Sequence, residues 1–189
     1  DALRTEAYAN LSAEDYHHLR KLERWGRGCE ALGYATAWLA PNPFSAALIS
    51  LGSTSRWTII THHVMHGGLD RVDAAPARYK SDGYAKGWRR LVDWFDWMLP
   101  EAWHYEHNVL HHFHTNEVSD PDLVEQNLTS LQRLPLAVRY VAVGFYALTW
   151  KFMYYAPNTF QVLRRAERAK AEGRPVSVDE IANPDPLMS

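Results

Sequence analysis

Histidine is concentrated in two short stretches of this sequence. Five of its ten histidines fall within residues 104–114, and three more stand at positions 62, 63 and 66. Neutral imidazole binds iron, copper, zinc and nickel, and no set of this size is needed merely to fill space. The two stretches therefore predict a metal site, although any single histidine is more simply explained as a hydrogen-bonded or solvent-facing side chain.

Helical spacing places these rings on shared faces. Because each residue turns an α-helix by about 100°, His62 and His66 lie on one face, one above the other. In the second stretch His112 lies about 100° round from His111. A single stripe is formed by the remaining set, His104, His107, His111 and His114. A stripe of this kind can hold one metal ion, and His112 can turn toward a second.

Two common zinc chemistries are excluded by the neighbouring residues. A zinc peptidase needs a glutamate directly after its first histidine, as in HExxH, to activate the bound water. That position is His63 here, so the general base is missing. A structural zinc site needs cysteines, and Cys29 is the only one. A pocket of several imidazoles and no thiolate indicates redox iron instead.

The motifs resemble those of a known superfamily. HHVMH resembles the first histidine box of the membrane fatty acid desaturases and hydroxylases, and EHNVLHHFHTNEVSDPDL resembles their second box with its trailing TN and DPD. EHxxxHH is also similar to a box of the integral-membrane alkane hydroxylases of the same superfamily. The resemblance covers about residues 30–125. The matching positions of the second box are His107, Asn108, His111, His112, Thr115, Asn116, Asp120, Pro121 and Asp122.

The resemblance implies a non-haem centre of two iron ions with O2 as co-substrate. It implies a lipid or fatty acyl substrate (an acyl-lipid or an acyl-thioester), desaturation as the reaction, and an external electron donor of the ferredoxin, rubredoxin or cytochrome b5 type. Hydroxylation of the alkane-monooxygenase type by the same centre is the alternative. The implied metal ligands are His62, His66, His107, His111 and His112.

One departure from the superfamily concerns the third histidine box. No histidine follows His114, so the complete shell of the superfamily requires additional ligands from His63, His104 and His114. We expect instead that the chain is an N-terminal portion of a longer protein. A metal-binding module without catalysis also fits this departure.

Polar residues beside the second box are candidates for the outer shell of the metal site. A carboxylate or amide that accepts the free imidazole N–H fixes the tautomer of a ligating ring. Helix capping and solvation are equally good explanations of any one of these residues. The candidates are Glu106, Asn108, Asn116, Asp120 and Asp122.

A hairpin of helices is predicted before the first box. Residues 31–55 carry no charge, and this run of 25 residues is divided by Pro41-Asn42-Pro43, a strong turn signal. We expect a helical hairpin over residues 31–61, with one helix up to about Ala40 and a return helix from Phe44. Both flanks are basic and the turn is neutral, so the positive-inside rule places the histidines on the cytosolic side of a membrane. Each arm is short for a full span, and a mean hydropathy of −0.39 favours a hairpin buried in a soluble protein.

The complete prediction is an all-α, desaturase-like single domain over residues 1–189, integral or peripheral to a membrane, with a cytosolic helical cap that carries the histidine boxes. Residues 1–30 are expected to form an amphipathic helix that starts near Ser12, residues 67–90 a polar linker within the histidine-box region 62–125, residues 134–156 an apolar helix, and residues 157–189 a basic helix and tail. Trp94, Trp97 and Met98 are expected on one helical face. The formal net charge of −2 argues against a nucleic-acid partner.

Overall fold

The computed structural model describes residues 2–38, 40, 42–94, 98–117, 119–123, 131–176 and 178. Regular structure in these residues is helical and no β-strand occurs among them, which confirms the predicted all-α class. The chain forms two compact units, residues 1–95 and residues 96–189, and one histidine stretch lies in each.

The first unit begins with helix α1 (Ala2–Ala9) and helix α2 (Ala13–Ala37). The Ser12 hydroxyl accepts a hydrogen bond from the Glu14 N–H at 3.2 Å, and the Asp15 carboxylate accepts one from the Ser12 N–H at 2.8 Å. This reciprocal capping satisfies backbone N–H groups that have no partner inside the helix. The helix start predicted near Ser12 is confirmed.

Helix α3 (Pro43–Thr54) runs back along α2. The Asn42 side chain caps α3 by accepting a hydrogen bond from the Ser45 N–H at 2.8 Å. Pro43 suits the first turn because its missing N–H would have had no partner there. The helical run then widens into a π-helical segment, Ser55–Thr61, and ends with helix α4 (His62–Met65), which carries the first histidine stretch.

Glycines allow the backbones of α2 and α3 to approach closely. A Cβ atom on Gly33 would lie 2.8 Å from Ile49 Cγ1, and one on Gly52 would lie 2.6 Å from the Gly26 carbonyl oxygen. The first half of α3 therefore packs on the second half of α2, and the end of α3 packs on the middle of α2. The two helices pair as the predicted hairpin does, but its first arm is part of one helix that begins at Ala13, where a separate amphipathic helix over residues 1–30 was expected. Pro41 lies outside the described residues.

The hairpin carries no sign of a complete membrane span. Among the described residues, none of the helices combines the length and the apolar character that crossing a bilayer requires.

The segment predicted as a polar linker folds onto the hairpin. It contains two short 3₁₀ turns, Ala77–Tyr79 and Gly87–Arg89, and a π-helical turn, Arg90–Trp94. Several of its apolar side chains are buried, so the segment packs as part of the unit, whereas a polar linker was expected. The buried ones include Leu69, Val72, Tyr79, Tyr84 and Trp94.

A charged network joins this segment to α2. Glu23 is only 7% exposed. It accepts hydrogen bonds from the Tyr79 hydroxyl, from Arg20 and, at 2.8 Å, from Arg27 Nη2. Arg27 also donates to Asp93 at 3.1 Å. Burial alone would raise the pKa of Glu23, but the hydrogen bonds from Tyr79 and Arg27 outweigh it and lower that pKa.

The second unit contains two helical runs. Helix α5 (Pro100–Tyr105), a π-helical segment (Glu106–His111) and helix α6 (His112–His114) carry the second histidine stretch. Helix α7 (Leu136–Trp150), a π-helical turn (Lys151–Tyr155) and helix α8 (Ala156–Ala171) form one continuous run in place of the two separate helices expected. The core of this unit is formed by Leu110, Val162 and Ala166. Trp97, predicted on one face with Trp94 and Met98, lies outside the described residues.

Helix α7 is apolar and exposed. None of its residues is buried. Val141 is 73% exposed and Leu148 is 83% exposed. A contiguous apolar surface of this kind is typical of a surface that contacts lipid or another protein.

Candidate metal centre

The first histidine stretch presents one close pair of imidazoles. His62 begins α4 and His66 directly follows its last residue, and their Nε2 atoms are 3.0 Å apart. Two nitrogen ligands at about 2.1 Å from one ion, separated by about 90–110°, lie about 3.0–3.4 Å apart. The predicted pairing on one helical face is present, and its spacing suits two ligands of one ion.

His63 turns to a different partner. A Cβ atom on Gly68 would lie 2.4 Å from His63 Nε2, so the ring packs against the glycine backbone. The side chain is exposed, and within the described residues it joins no cluster of candidate ligands. The role of His63 as an additional ligand gains no support from its surroundings.

The second stretch also presents a close pair, and a different one from that expected. His107 Nε2 and His112 Nε2 are 3.1 Å apart, with ring centroids 4.6 Å apart. The two residues stand five positions apart, a spacing that an α-helix places on different faces. Here the backbone is π-helical, and the N–H of His112 donates to the carbonyl of His107. The wider turn brings residues five apart to the same side.

A mixed group of nitrogen and oxygen ligands lies within the second unit. His107, His111 and Asp122 each offer one ligand atom, and these three atoms lie within 4.8 Å of one another. The rings of His107 and His111 stack with centroids 5.3 Å apart. His107 is 9% exposed, so most of its ring is removed from water. The sequence placed Asp122 only in the outer shell.

Asp120 orients His111. The His111 Nδ1–H donates to Asp120 Oδ1 at 2.9 Å, which leaves the lone pair on Nε2. Asp120 is 3% exposed and also accepts backbone N–H bonds, both at 2.9 Å, from Asn116 and Asp122. Burial alone would raise the pKa of Asp120, but these hydrogen bonds, that of His111 first among them, lower it. The predicted outer-shell role of Asp120 matches this contact, and Asn116 contributes through its backbone, at a φ of 65°, instead of its side chain.

Glu106 occupies a different environment from the one predicted. Its side chain is fully buried, and neither carboxyl oxygen makes a hydrogen bond of good geometry. Burial, followed by the charges of Asp122 and Asp120, raises the pKa of Glu106 to about 9. Burial also raises the pKa of Asp122. The charge of Asp120 raises it further, whereas His111 lowers it.

Two other histidines of this stretch have local partners. Asn108 Nδ2–H donates to His104 Nδ1 at 2.8 Å, so the proton of a neutral His104 ring lies on Nε2 and leaves no available lone pair. His114 Nδ1–H donates to Glu117 Oε2 at 2.8 Å. Neither ring belongs to a cluster of candidate ligands among the described residues. Their predicted use as additional ligands gains no support.

Sequence reasoning missed two aromatic neighbours of the site. The Trp103 ring stacks on His107, with centroids 4.4 Å apart and planes 17° apart. The pKa of Tyr155 is raised, chiefly by burial and then by the charges of Glu106 and Asp122. The spacing of four positions between Trp103 and His107 could have indicated the first contact, whereas Tyr155 comes from a distant part of the sequence.

An open apolar cleft of about 580 Å³ also lies in the second unit. The described residues that line it carry no charged or hydroxyl side chain. Clefts of about 300–1,000 Å³ with apolar walls commonly hold small molecules. The lining residues are Leu99, Phe152, Ala156, Pro157 and Phe160.

Comparisons of this chain with models of protein families, with characterised proteins and with solved structures gave no match. The chemistry proposed for the centre therefore depends on the residues, their geometry and the resemblance of the two histidine boxes.

Proposed function

We propose that this chain is a desaturase-like oxidoreductase in which the two histidine stretches hold two iron ions and O2 is the co-substrate. One observation carries the proposal: each stretch pairs two ring nitrogens, at 3.0 Å for His62 with His66 and at 3.1 Å for His107 with His112. Both spacings suit two ligands of one ion. The ligands proposed are these four residues and His111.

Iron, when bound, would supply the O2-dependent removal of hydrogen from an unactivated C–H bond, which amino-acid side chains cannot perform. The protein's own part is to position ligands and protons. Asp120 accepts a hydrogen bond from the Nδ1–H of His111, so that the Nε2 lone pair would be available to an ion. The π-helical turn aligns His107 with His112.

The proposed substrate is a fatty acyl chain, carried as a lipid or as a thioester. The apolar walls of the cleft formed in part by Leu99, Phe152 and Phe160 support this choice, since a hydrocarbon chain needs no polar partner. The cleft belongs to the same unit as the second histidine stretch.

We place the protein at a membrane, integral or peripheral, with the histidines on the cytosolic side. The exposed apolar surface of α7 supports contact with lipid, because water would otherwise cover an apolar helix. Electrons would come from a separate protein of the ferredoxin, rubredoxin or cytochrome b5 type.

Turnover in a defined mixture tests the reaction. The protein is purified in detergent, loaded with Fe²⁺, and mixed with a fatty acyl substrate, a reduced ferredoxin and O2. We expect O2 uptake and a product that is lighter by two hydrogens, both lost in a H107A variant and without O2. A product heavier by one oxygen atom would show that the reaction is hydroxylation instead of desaturation. Bound metal without O2 uptake would show that the chain is a metal-binding module without catalysis.

A further inference from the structure

The carboxylate of Asp122 lies within the second unit's group of histidine ligands. One atom from each of His107, His111 and Asp122 lies within 4.8 Å of the other two. In an octahedral complex with ligands about 2.1 Å from the ion, neighbouring ligand atoms are about 3.0 Å apart and opposite ones about 4.2 Å apart. The group therefore needs only small side-chain adjustments to surround one ion.

Two neighbouring acids have different surroundings. Asp120 already accepts three hydrogen bonds, from the His111 ring and from the backbone N–H groups of Asn116 and Asp122. Asp122 Oδ2 lies 3.6 Å from His111 Nδ1, beyond hydrogen-bond length. Asp120 is thus committed to orienting a ring, whereas Asp122 has a carboxylate oxygen beside the rings that can ligate an ion.

A second observation points to a cation at this position. Glu106 is fully buried next to Asp122, and neither of its carboxyl oxygens makes a hydrogen bond of good geometry. Three carboxyl groups therefore converge on two imidazoles in one small region. Buried carboxylates are stabilised by a paired charge or by a metal ion, and no lysine or arginine contributes to this cluster among the described residues.

We propose that Asp122 is a direct metal ligand, and that His107, His111 and Asp122 form a site for one divalent ion within residues 96–189. Two imidazoles and one carboxylate are the ligand set of non-haem Fe²⁺ oxygenases, which leaves other coordination positions open. The carboxylate supplies an oxygen donor to a centre that the histidine pattern alone would make entirely nitrogen-ligated. The inference deepens the proposed function and rests on it for the identity of iron.

Cobalt binding tests the site without turnover, because Co²⁺ has visible absorption bands that report its ligands. The full chain, stripped of metal, is titrated with Co²⁺ in a H62A/H66A background that leaves only the second unit's ligands. We expect one Co²⁺ to bind. We expect D122A to weaken that binding and to shift its absorption bands, D122H to restore the affinity with bands of its own, and D120N to weaken binding less than D122A does while keeping the bands of the parent.

D122N, which preserves the shape of the side chain, accompanies D122A, and circular dichroism confirms that each variant is folded. D122A or D122N with the absorption bands and affinity of the parent would overturn the inference, as would a loss in D120N equal to that in D122N. If the wild type binds two metal ions and D122N binds them equally well, Asp122 is not a ligand, and the proposed function is unaffected. If the wild type binds neither Co²⁺ nor Fe²⁺, both the inference about Asp122 and the proposed function are wrong.

Discussion

His107 and His112 stand five positions apart in the sequence, yet their Nε2 atoms are 3.1 Å apart. The π-helical segment Glu106–His111 makes this possible, because each of its turns takes up an extra residue. The same kind of segment, Ser55–Thr61, leads directly into the first histidine stretch. Wide turns of this type are frequent at functional sites.

This pairing predicts that His112 is needed for metal binding and that His114 is dispensable. Changes in the outer shell of a metal site cost about 10- to 100-fold in affinity, so we expect H112A to cost more than that. H114A is the matched control, since His114 donates to Glu117 instead. Affinity is measured by competition with a chelator. Equal affinities for H112A and H114A would show that the close pair does not ligate metal.

The contact between His111 and Asp120 predicts an indirect effect on the metal. Replacing Asp120 with alanine removes the acceptor of the Nδ1 proton, so the ring can rotate or change tautomer. We expect metal affinity in D120A to fall by about 10- to 100-fold. D120N keeps an acceptor oxygen and is expected to lose less. Affinities measured by the same competition would contradict this account if D120N lost as much as D120A.

The close packing of α2 on α3 predicts opposite effects at two glycines. A Cβ atom on Gly52 would lie 2.6 Å from the Gly26 carbonyl oxygen, so G52A must push two backbones apart. We expect a loss of about 1–3 kcal/mol in the free energy of unfolding. G28A is the control, because no atom lies within 4 Å of a Cβ atom there. It is expected to gain about 0.5–1 kcal/mol.

Denaturant unfolding followed by circular dichroism measures both glycine variants. A G52A protein as stable as G28A would mean that the two helices do not approach as closely as their glycines allow. A loss in both variants would instead point to a general intolerance of substitution in these helices.

The network around Glu23 predicts a dependence of stability on pH. The folded-state pKa of Glu23 is lowered, so the carboxylate stabilises the fold above its unfolded pKa of about 4.3, and this contribution is lost as pH falls below that value. We expect E23Q to cost about 1–3 kcal/mol at pH 7, because Arg27 and Tyr79 lose a charged acceptor. The difference between wild type and E23Q should shrink below about pH 4.

Urea unfolding at a series of pH values measures this difference. E167Q is the control, since Glu167 is an exposed residue whose pairing with Arg164 is worth little. A difference between wild type and E23Q that stays constant from pH 7 to pH 3 would contradict the lowered pKa of Glu23.

Local rules predicted much of the fold from the sequence. The capping residue Ser12 marks the start of α2, and the turn signal Pro41-Asn42-Pro43 comes directly before the helix expected from Phe44. Such signals act over three or four residues, so they can be identified without knowledge of the tertiary contacts. The class of the fold and the pairing of His62 with His66 follow from the same short-range geometry.

The remaining features depend on contacts that no local pattern contains. An α-helix would place His107 and His112 on different faces, whereas the π-helical backbone brings their rings together. Glu23 accepts a hydrogen bond from Tyr79 across more than fifty positions, so the packing of residues 67–90, which were predicted as a polar linker, could not be identified from local patterns. The raised pKa of Glu106 comes first from burial, which the residues next to it in the sequence do not indicate.

Iron content and Mössbauer spectroscopy on the wild-type protein test the central claim most directly. The protein is purified in detergent and loaded with ⁵⁷Fe²⁺ under anaerobic conditions. We expect two iron ions per chain, with quadrupole doublets of high-spin Fe²⁺ in nitrogen and oxygen coordination that change on exposure to O2. Zinc as the only metal bound, or a single iron per chain, would contradict the assignment of a di-iron centre to the two histidine stretches.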